Sequence, residues 1–535
     1  MSNATDHVLS VDVATARQSL ADGQEIAFVD VREEGQHGAG HPLLAVNVAY
    51  SRLEADIRAL APRLDVRLLL ADDGDGVAER AAQRLRRLGY SNVMILAGGV
   101  PAWAAAGHML FESINVPSKA FAEVVEHAFD TPHIEAQQLD ALLRSGADVK
   151  VLDSRTVEEF GRFHVPGAAS CPGAELVHRF ADMVPSPDTF VVVSCAGRTR
   201  GIIGAQALIN AGVPNRVAAL AGGTQGWRLA GLELERQVPA VLVPVSDAAI
   251  EIGQQRAASL AERFDISLID RATLATWQAD TARTTHVFDV RTPEEFAAGH
   301  LPGSVSAQGG QLVQATDRWV GTRGARIVLV DDNGIRTAVT AHWLLQMGWD
   351  VHVLADALQG VALQTGTAKV SPPDDIANVP QITAPQAAQR MRDGAAAIFI
   401  GPSAGYRRAH PAGAVWATRP RLNRLPPAVL HADRIVVFAE DAVIGALAAL
   451  DLRELCRGDV ALTLGGIDSW RAADMTVEAA GDTPPDAERI DFLFWNHDRH
   501  EGNFDAMRAY LRWETELPGR IAADATAPFR VGVPA

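Results

Sequence analysis

Cys195 follows an apolar run, FVVVS (190–194), and precedes Ala196, Gly197, Arg198, Thr199, Arg200 and Gly201, where a helical pattern begins. A cysteine between a strand end and a helix N-terminus faces consecutive backbone N–H groups. Such a nest binds anions, and the helix end adds partial positive charge. The setting predicts a lowered thiol pKa and a nucleophilic thiolate. Gly197 and Gly201 let the backbone wrap closely, while Arg198 and Arg200 offer forked donors to an oxyanion. The chemistry expected is nucleophilic attack by Cys195, with residues 196–201 binding an anionic substrate.

Other reactive side chains are set apart from this loop. Cys171, in AASCPGAEL, is read as a bystander thiol with a possible resolving role, and Cys456, in DLRELCRGD, as a core residue. The string WNHDRHEG (495–502) gathers His497, Asp498, His500 and Glu501, but its histidine spacing of three and lack of cysteine favour a solvated or docking surface over a metal site. His164 and His300 precede Pro-Gly turns at similar offsets and read as structural.

The elements that position the loop recur along the chain. An apolar strand ending in Asp-x-Arg occurs in AFVDVREEGQHGAGHP (27–42), KVLDSRTVEEFGRFHVPGA (150–168) and HVFDVRTPEEFAAGHLPGS (286–304). An eroded fourth copy begins AIFIGPSAGYRRAHPAG (397–413), with Gly401 and Ser403 read in place of the Asp and the Arg. Second apolar strands follow: RLLLADD (67–73), FVVVSCAG (190–197), RIVLVDDNG (326–334) and RIVVFAED (434–441). Each leads into an amphipathic helix, and three copies close on a Gly-rich turn and a tryptophan: LAGGVPAW (96–103), LAGGTQGW (220–227) and LGGIDSW (464–470). The third copy has LADALQG (354–360) there. Short buried strands alternating with helices predict four α/β units with mainly parallel sheets flanked by helices.

The second copy closely resembles the rhodanese family of sulfurtransferases. The Asp153–Arg155 strand end, the EEF…HVPGA segment (158–168), the six-residue loop from Cys195 to Arg200 and AGGTQGW (221–227) carry the resemblance. It extends over nearly the whole chain as four tandem copies, one with an intact loop. It implies a ping-pong cycle in which Cys195 takes a sulfane sulfur from thiosulfate or a similar small anionic donor. The persulfide then passes its sulfur to cyanide or a thiol, without metal or organic cofactor. Asp153 and Arg155 are expected to brace the loop as an ion pair. Phosphatases and arsenate reductases of the same fold are an alternative. Their loop is one residue longer, and the Cys-x4-Arg spacing here makes a smaller cradle. A non-catalytic or relay scaffold for sulfur trafficking is the other reading, with no acceptor protein legible.

The expected segments are 1–117, inactive with Asp72 at the cysteine position; 118–240, catalytic; 241–372, inactive with Asp332 there; 373–480, degenerate, with Glu440 or Asp441; and 481–535, a docked C-terminal tail. Segment 118–240 is long enough to bury a core and fold alone, with a nest local to 195–201, and is expected to carry the chemistry by itself while the other repeats add stability by covering apolar surface. A net charge of −17 over 535 residues argues against a broad nucleic-acid or anionic-membrane surface. Three cysteines form no disulfide framework, and the N-terminal sequence has no secretory pattern, so a cytoplasmic protein is expected.

Overall fold

A computed structural model describes residues 8–367, 374–499 and 502–532. The chain divides into two compact units, one formed by 1–20, 27–114 and 369–494, the other by 21–26, 115–368 and 495–535. The first and fourth repeats thus share one unit. The second and third share the other, with the C-terminal helix.

In the second repeat a five-stranded parallel sheet runs His133–Ile134, Val217–Leu220, Phe190–Ser194, Val149–Asp153, Ala169–Ser170. The third repeat has the same order: Ser267–Ile269, Asp350–Leu354, Arg326–Val330, Thr285–Asp289, Val305–Ser306. So does the fourth, with Gln381–Ile382, Asp459–Leu464, Arg434–Ala439, Ala396–Ile400 and Ala414–Ala417. In the first, Leu9–Val11, Val93–Leu96, Arg67–Ala71 and Ile26–Asp30 follow that order, and Val46–Asn47 pairs with Ile26–Asp30. The central strands are near-continuous apolar runs because helices cover both faces. Mixed α/β architecture with several parallel sheets is therefore the fold.

Strand register settles which residues are equivalent. Asp153 pairs with Ser194, so Cys195 is the first residue past the strand; Asp289 pairs with Val330, which puts Asp331 at that position. The assignment of Asp332 to the cysteine position is corrected: Asp331 lies at the same 42-residue offset from Asp289 as Cys195 from Asp153. In the first repeat Val31 N–H donates to Ala71 O, matching Ser154 to Ser194 O, and Asp72 follows. In the fourth, Phe399 pairs with Phe438, which aligns Ile400, not Gly401, with the strand-end aspartates and Glu440 with Cys195.

In the second unit, the core of the second repeat continues into the third. Phe121, Val191 and Leu208 belong to one buried cluster with Leu260, Leu329 and Trp343. Phe121 meets Trp343 edge-on at 5.8 Å. The helix Val116–Phe129 runs across the first expected boundary, and the helix Phe504–Asp524 packs against it with Tyr510, Trp513 and Leu517 buried. No helix among the described residues is long and apolar enough to cross a membrane.

Candidate active site

The loop is built from its flanks inward. Phe190–Ser194 is buried throughout, and the helix Thr199–Asn210 begins four residues past Cys195, so residues 195–198 lie at a helix N-terminus. Beneath the loop, Asp153 and Arg155 form a buried ion pair, with Nε to Oδ1 at 2.9 Å and Nη2 to Oδ2 at 2.8 Å. Arg155 also donates to Phe163 O. Asp30–Arg32 and Asp289–Arg291 repeat this geometry, donating to Gly40 O and Gly299 O. A pair present with and without the cysteine is a brace.

A Gly-rich turn closes over the loop. Thr224 N–H donates to Cys195 O at 2.8 Å and Gln225 N–H to Ala196 O at 3.1 Å. Gly223, with φ +55°, comes so close that a Cβ there would lie 2.3 Å from Cys195 O and 2.6 Å from Gly197 O. This contact explains the second glycine of AGGTQGW.

Cys195 is 2% exposed. Burial pushes its thiol up to about 11; the Arg200 guanidinium and a hydrogen bond from Gly201 N–H pull down, and Glu514 and Asp153 push up further. The expected lowering of the thiol pKa is overturned, because burial outweighs the positive groups. Cys171 is fully buried, and its thiol is also pushed up.

The two loop arginines have internal partners, contrary to the expectation that their forks stand open to substrate. Arg198 donates to Glu123 at 2.8 and 2.9 Å and to Glu126. Arg200 grips Glu159 through two bonds of 2.6 and 2.7 Å. Glu159 also closes the capping box of Thr156 at the start of Val157–Arg162. Arg336, at the matching position of the third repeat, holds Glu295 in the capping box of Thr292. Arg200 therefore has a loop-fastening role that Arg336 shares where there is no thiol.

The C-terminal helix supplies groups that local motifs did not reveal. Glu514 is 1% exposed; its Oε1 accepts from Tyr510 OH at 2.8 Å and from Thr199 Oγ1 at 3.3 Å. Its Oε2, which has no hydrogen-bond partner, would lie 3.1 Å from a Cβ on Gly197. Only the tail's aromatic content hinted that it docks.

The equivalent positions show what the cradle holds. Asp72 Oδ1 accepts from Gly74 N–H and Oδ2 from Ala78 N–H, both at 2.9 Å. Asp331 accepts from Gly334 at 2.8 Å and Thr337 at 3.1 Å. Ala78 and Thr337 stand six residues past the aspartate, as Gly201 stands past Cys195. A carboxylate thus fills the nest in two repeats, and a sulfur faces the matching N–H in the second.

The remaining candidates fall elsewhere. His164 and His300 each stack on a phenylalanine at 3.8 Å and bond its carbonyl, a structural arrangement. Cys456, half-buried at the C-terminal cap of the helix Ala442–Leu455, donates to Leu452 O. His497 and Asp498 are exposed, whereas His500 and Glu501 lie outside the described residues; no metal-holding cluster occurs among the described residues.

Comparison with known proteins gives three matches to the rhodanese-like domain family, at residues 12–106, 135–230 and 272–363. The chain is similar in structure to the thiosulfate sulfurtransferase of Pseudomonas aeruginosa, with a TM-score of 0.91 and 40% identity over 98% of this chain and 100% of that one. It is 26% identical to the HTH-type transcriptional regulator Rv0324 of Mycobacterium tuberculosis, over 42% of this chain and 92% of that protein. A shorter match, 30% identical, links 19% of this chain to 65% of the mitochondrial protein HIGH ARSENIC CONTENT 1 of Arabidopsis thaliana.

Proposed function

From the premise that this chain belongs to the rhodanese-like domain family, we propose that it is a sulfurtransferase whose sulfur is carried by Cys195. Cys195 gives up its thiol proton to solvent as its sulfur attacks the outer sulfur of thiosulfate or a similar small anionic donor; the donor S–S bond breaks, and sulfite leaves with its electron pair. Cyanide or a thiol then attacks the outer sulfur of the persulfide, and Cys195 departs as thiolate. The cycle uses no metal or organic cofactor.

The observation carrying this reading is the occupancy of the four strand-end positions: Asp72, Cys195, Asp331 and Glu440. One is a thiol. Two of the others fill the nest with a carboxylate, which supports the cradle as a place for a persulfide's negative charge. Backbone donors of 196–201 are read as the substrate cradle, with Arg198 and Arg200 holding its shape. A phosphatase or arsenate reductase would need a guanidinium open to a tetrahedral oxyanion, and Arg200 is engaged by Glu159. We read 118–240 as the catalytic segment and 1–117, 241–372 and 373–480 as non-catalytic repeats in a cytoplasmic protein.

The test is mass spectrometry of the full chain after thiosulfate, then after cyanide. A sulfur adduct on Cys195 that cyanide removes, and that Cys195→Ser lacks, is the expected result. Full thiocyanate production by Cys195→Ser would overturn the reading.

A further inference from the structure

The Cys195 loop is a nest of N–H groups set in an acidic surround. Arg198 is taken up by two carboxylates, Glu123 at 2.8 and 2.9 Å and Glu126, and Arg200 by Glu159 at 2.6 and 2.7 Å. Each guanidinium is matched within the protein, so neither brings surplus positive charge to a sulfur donor. Glu514 adds a further carboxylate, 1% exposed, from the helix Phe504–Asp524. Its Oε1 is held by Tyr510 and Thr199, and its Oε2 lies against Gly197, 3.1 Å from where a Cβ would stand. Thr199 opens the helix that follows the loop, so this negative group sits at the helix end that otherwise attracts anions.

Two cations stand near this helix. Lys119 lies 5.4 Å from the Tyr510 ring and 5.5 Å from that of Trp513, and burial pushes its ammonium down to about 7. It is therefore largely uncharged in a mildly alkaline solution. Arg499 stacks on Tyr510, its Cζ 3.6 Å from the ring centroid. Glu514 Oε2, the oxygen turned to the loop, has no hydrogen-bond partner.

We propose that Glu514 is a specificity-determining residue that selects sulfur donors by charge, favouring a monoanion over a dianion of the same shape. This rests on the sulfurtransferase reading and deepens it by naming the charge class of the donor. The carboxylate need not touch the donor, because charges out of water are poorly screened. A unit charge acting through an effective dielectric of about 20 over several ångströms is worth about tenfold or more in a rate. Thiosulfate brings two negative charges to Cys195; methanethiosulfonate, in which a methyl group replaces one oxygen, brings one. In both reactions the Cys195 proton goes to solvent, its sulfur bonds to the outer donor sulfur, and the donor S–S bond breaks. Sulfite or methanesulfinate leaves with the electron pair, and no oxidant is consumed.

The experiment measures kcat/KM for both donors, with cyanide as acceptor, on the full chain and on Glu514→Gln and Glu514→Asp at one pH. The ratio of the two values is read, because a change in thiol ionisation scales both donors alike and cancels. The same ratio for N-acetylcysteine thiolate in solution is the reference. The wild type should favour methanethiosulfonate about tenfold or more beyond that reference. Glu514→Gln should remove most of this preference, and Glu514→Asp, which keeps the charge, should retain most of it. The wild-type comparison decides the matter even if Glu514→Gln does not fold. A wild-type preference no greater than the reference, or a ratio unmoved in folded Glu514→Gln, overturns the proposal. An equal shift in Glu514→Asp would assign the effect to packing and overturn it too. No sulfur transfer from either donor would sink the sulfurtransferase reading, and this proposal with it.

Discussion

Glu514 accepts a hydrogen bond from Thr199, 315 residues earlier in the chain, and so sets a carboxylate from the C-terminal helix against the Cys195 loop. Tyr510, one turn before it, donates to the same oxygen and fixes the rotamer. The result is a negative group beside a buried thiol. Both burial and this charge favour the protonated sulfur, so the resting site holds a thiol rather than a thiolate. A donor that reaches the loop meets the Glu514 carboxylate as well as the nest.

Removing that charge should therefore loosen the proton. Glu514→Gln is expected to move the thiol titration down from about 11, so that alkylation by iodoacetamide at fixed mildly alkaline pH speeds up. Each unit of downward shift raises the thiolate fraction about tenfold. The rate–pH profile of the full chain against the variant measures it. An unmoved midpoint would mean Glu514 has no electrostatic hold on Cys195.

Arg200 and Arg336 perform one fastening task in two repeats, and their loss should be felt as stability. Arg336, fully buried, meets Glu175 at 3.0 Å, Glu295 at 2.7 Å and Asp332 at 2.8 Å. Arg336→Ala removes the bond to Glu175 Oε1, while Glu175 Oε2 keeps Arg179 at 2.8 Å and His178 at 3.1 Å; the loss of that charge-assisted bond should cost about 1.5–3 kcal/mol, read by chemical denaturation. For Arg200→Ala the cost should depend on pH. Arg200 holds Glu159 at about 2 against an ordinary 4.5. Its stabilisation is fully present above 4.5 and is lost as pH falls through the folded value. The stability gap between wild type and Arg200→Ala should narrow below pH 4.5, and a gap that widens there would contradict the pairing.

Gly223→Ala should abolish sulfur loading. Its Cβ would strike Cys195 O and Gly197 O at a left-handed φ, so the loop must shift. Gly99 makes the same approach to Asp72 O, at 2.2 Å, in the first repeat. Gly99→Ala should lower the melting temperature yet leave the persulfide on Cys195 intact. Equal persulfide yields from both variants, by mass spectrometry, would mean the turn does not shape the reactive loop.

Much of this arrangement was legible because it is local. The Asp-x-Arg brace and the apolar strands are set by residues within a few positions of one another. The position of Asp331 was also present in the spacing, but two adjacent aspartates made the offset easy to miscount; backbone pairing removes the ambiguity. The sign of the Cys195 shift was not legible. A nest read from sequence contributes only its positive side, whereas burial and Glu514 come from packing of a distant helix. The arginine partners were hidden similarly. Glu123 lies on Val116–Phe129, 75 residues before Arg198, and Glu159 carries no mark that separates a capping residue from the mate of Arg200.

The same packing bears on the expectation that segment 118–240 loads sulfur by itself while drawing stability from its neighbours. Its core is continuous with the third repeat through Val191, Leu208, Leu329 and Trp343, and the helix Phe504–Asp524 covers Val116–Phe129. Excision would expose several large apolar side chains, each worth about 1.5–3 kcal/mol when fully buried. Against a domain stability of about 5–15 kcal/mol, two or three such losses suffice to unfold it. The nest is local, but the turn and helices that hold it are not secured by segment 118–240 alone. We expect a 118–240 fragment to keep far-ultraviolet dichroism while losing near-ultraviolet signal and a cooperative melt, and to load sulfur on Cys195 poorly. Scanning calorimetry and mass spectrometry after thiosulfate, at matched concentration with the full chain, give the comparison. A sharp melt with full-chain persulfide yield would show that the second repeat holds its own core, and the shared cluster would then be contact rather than support.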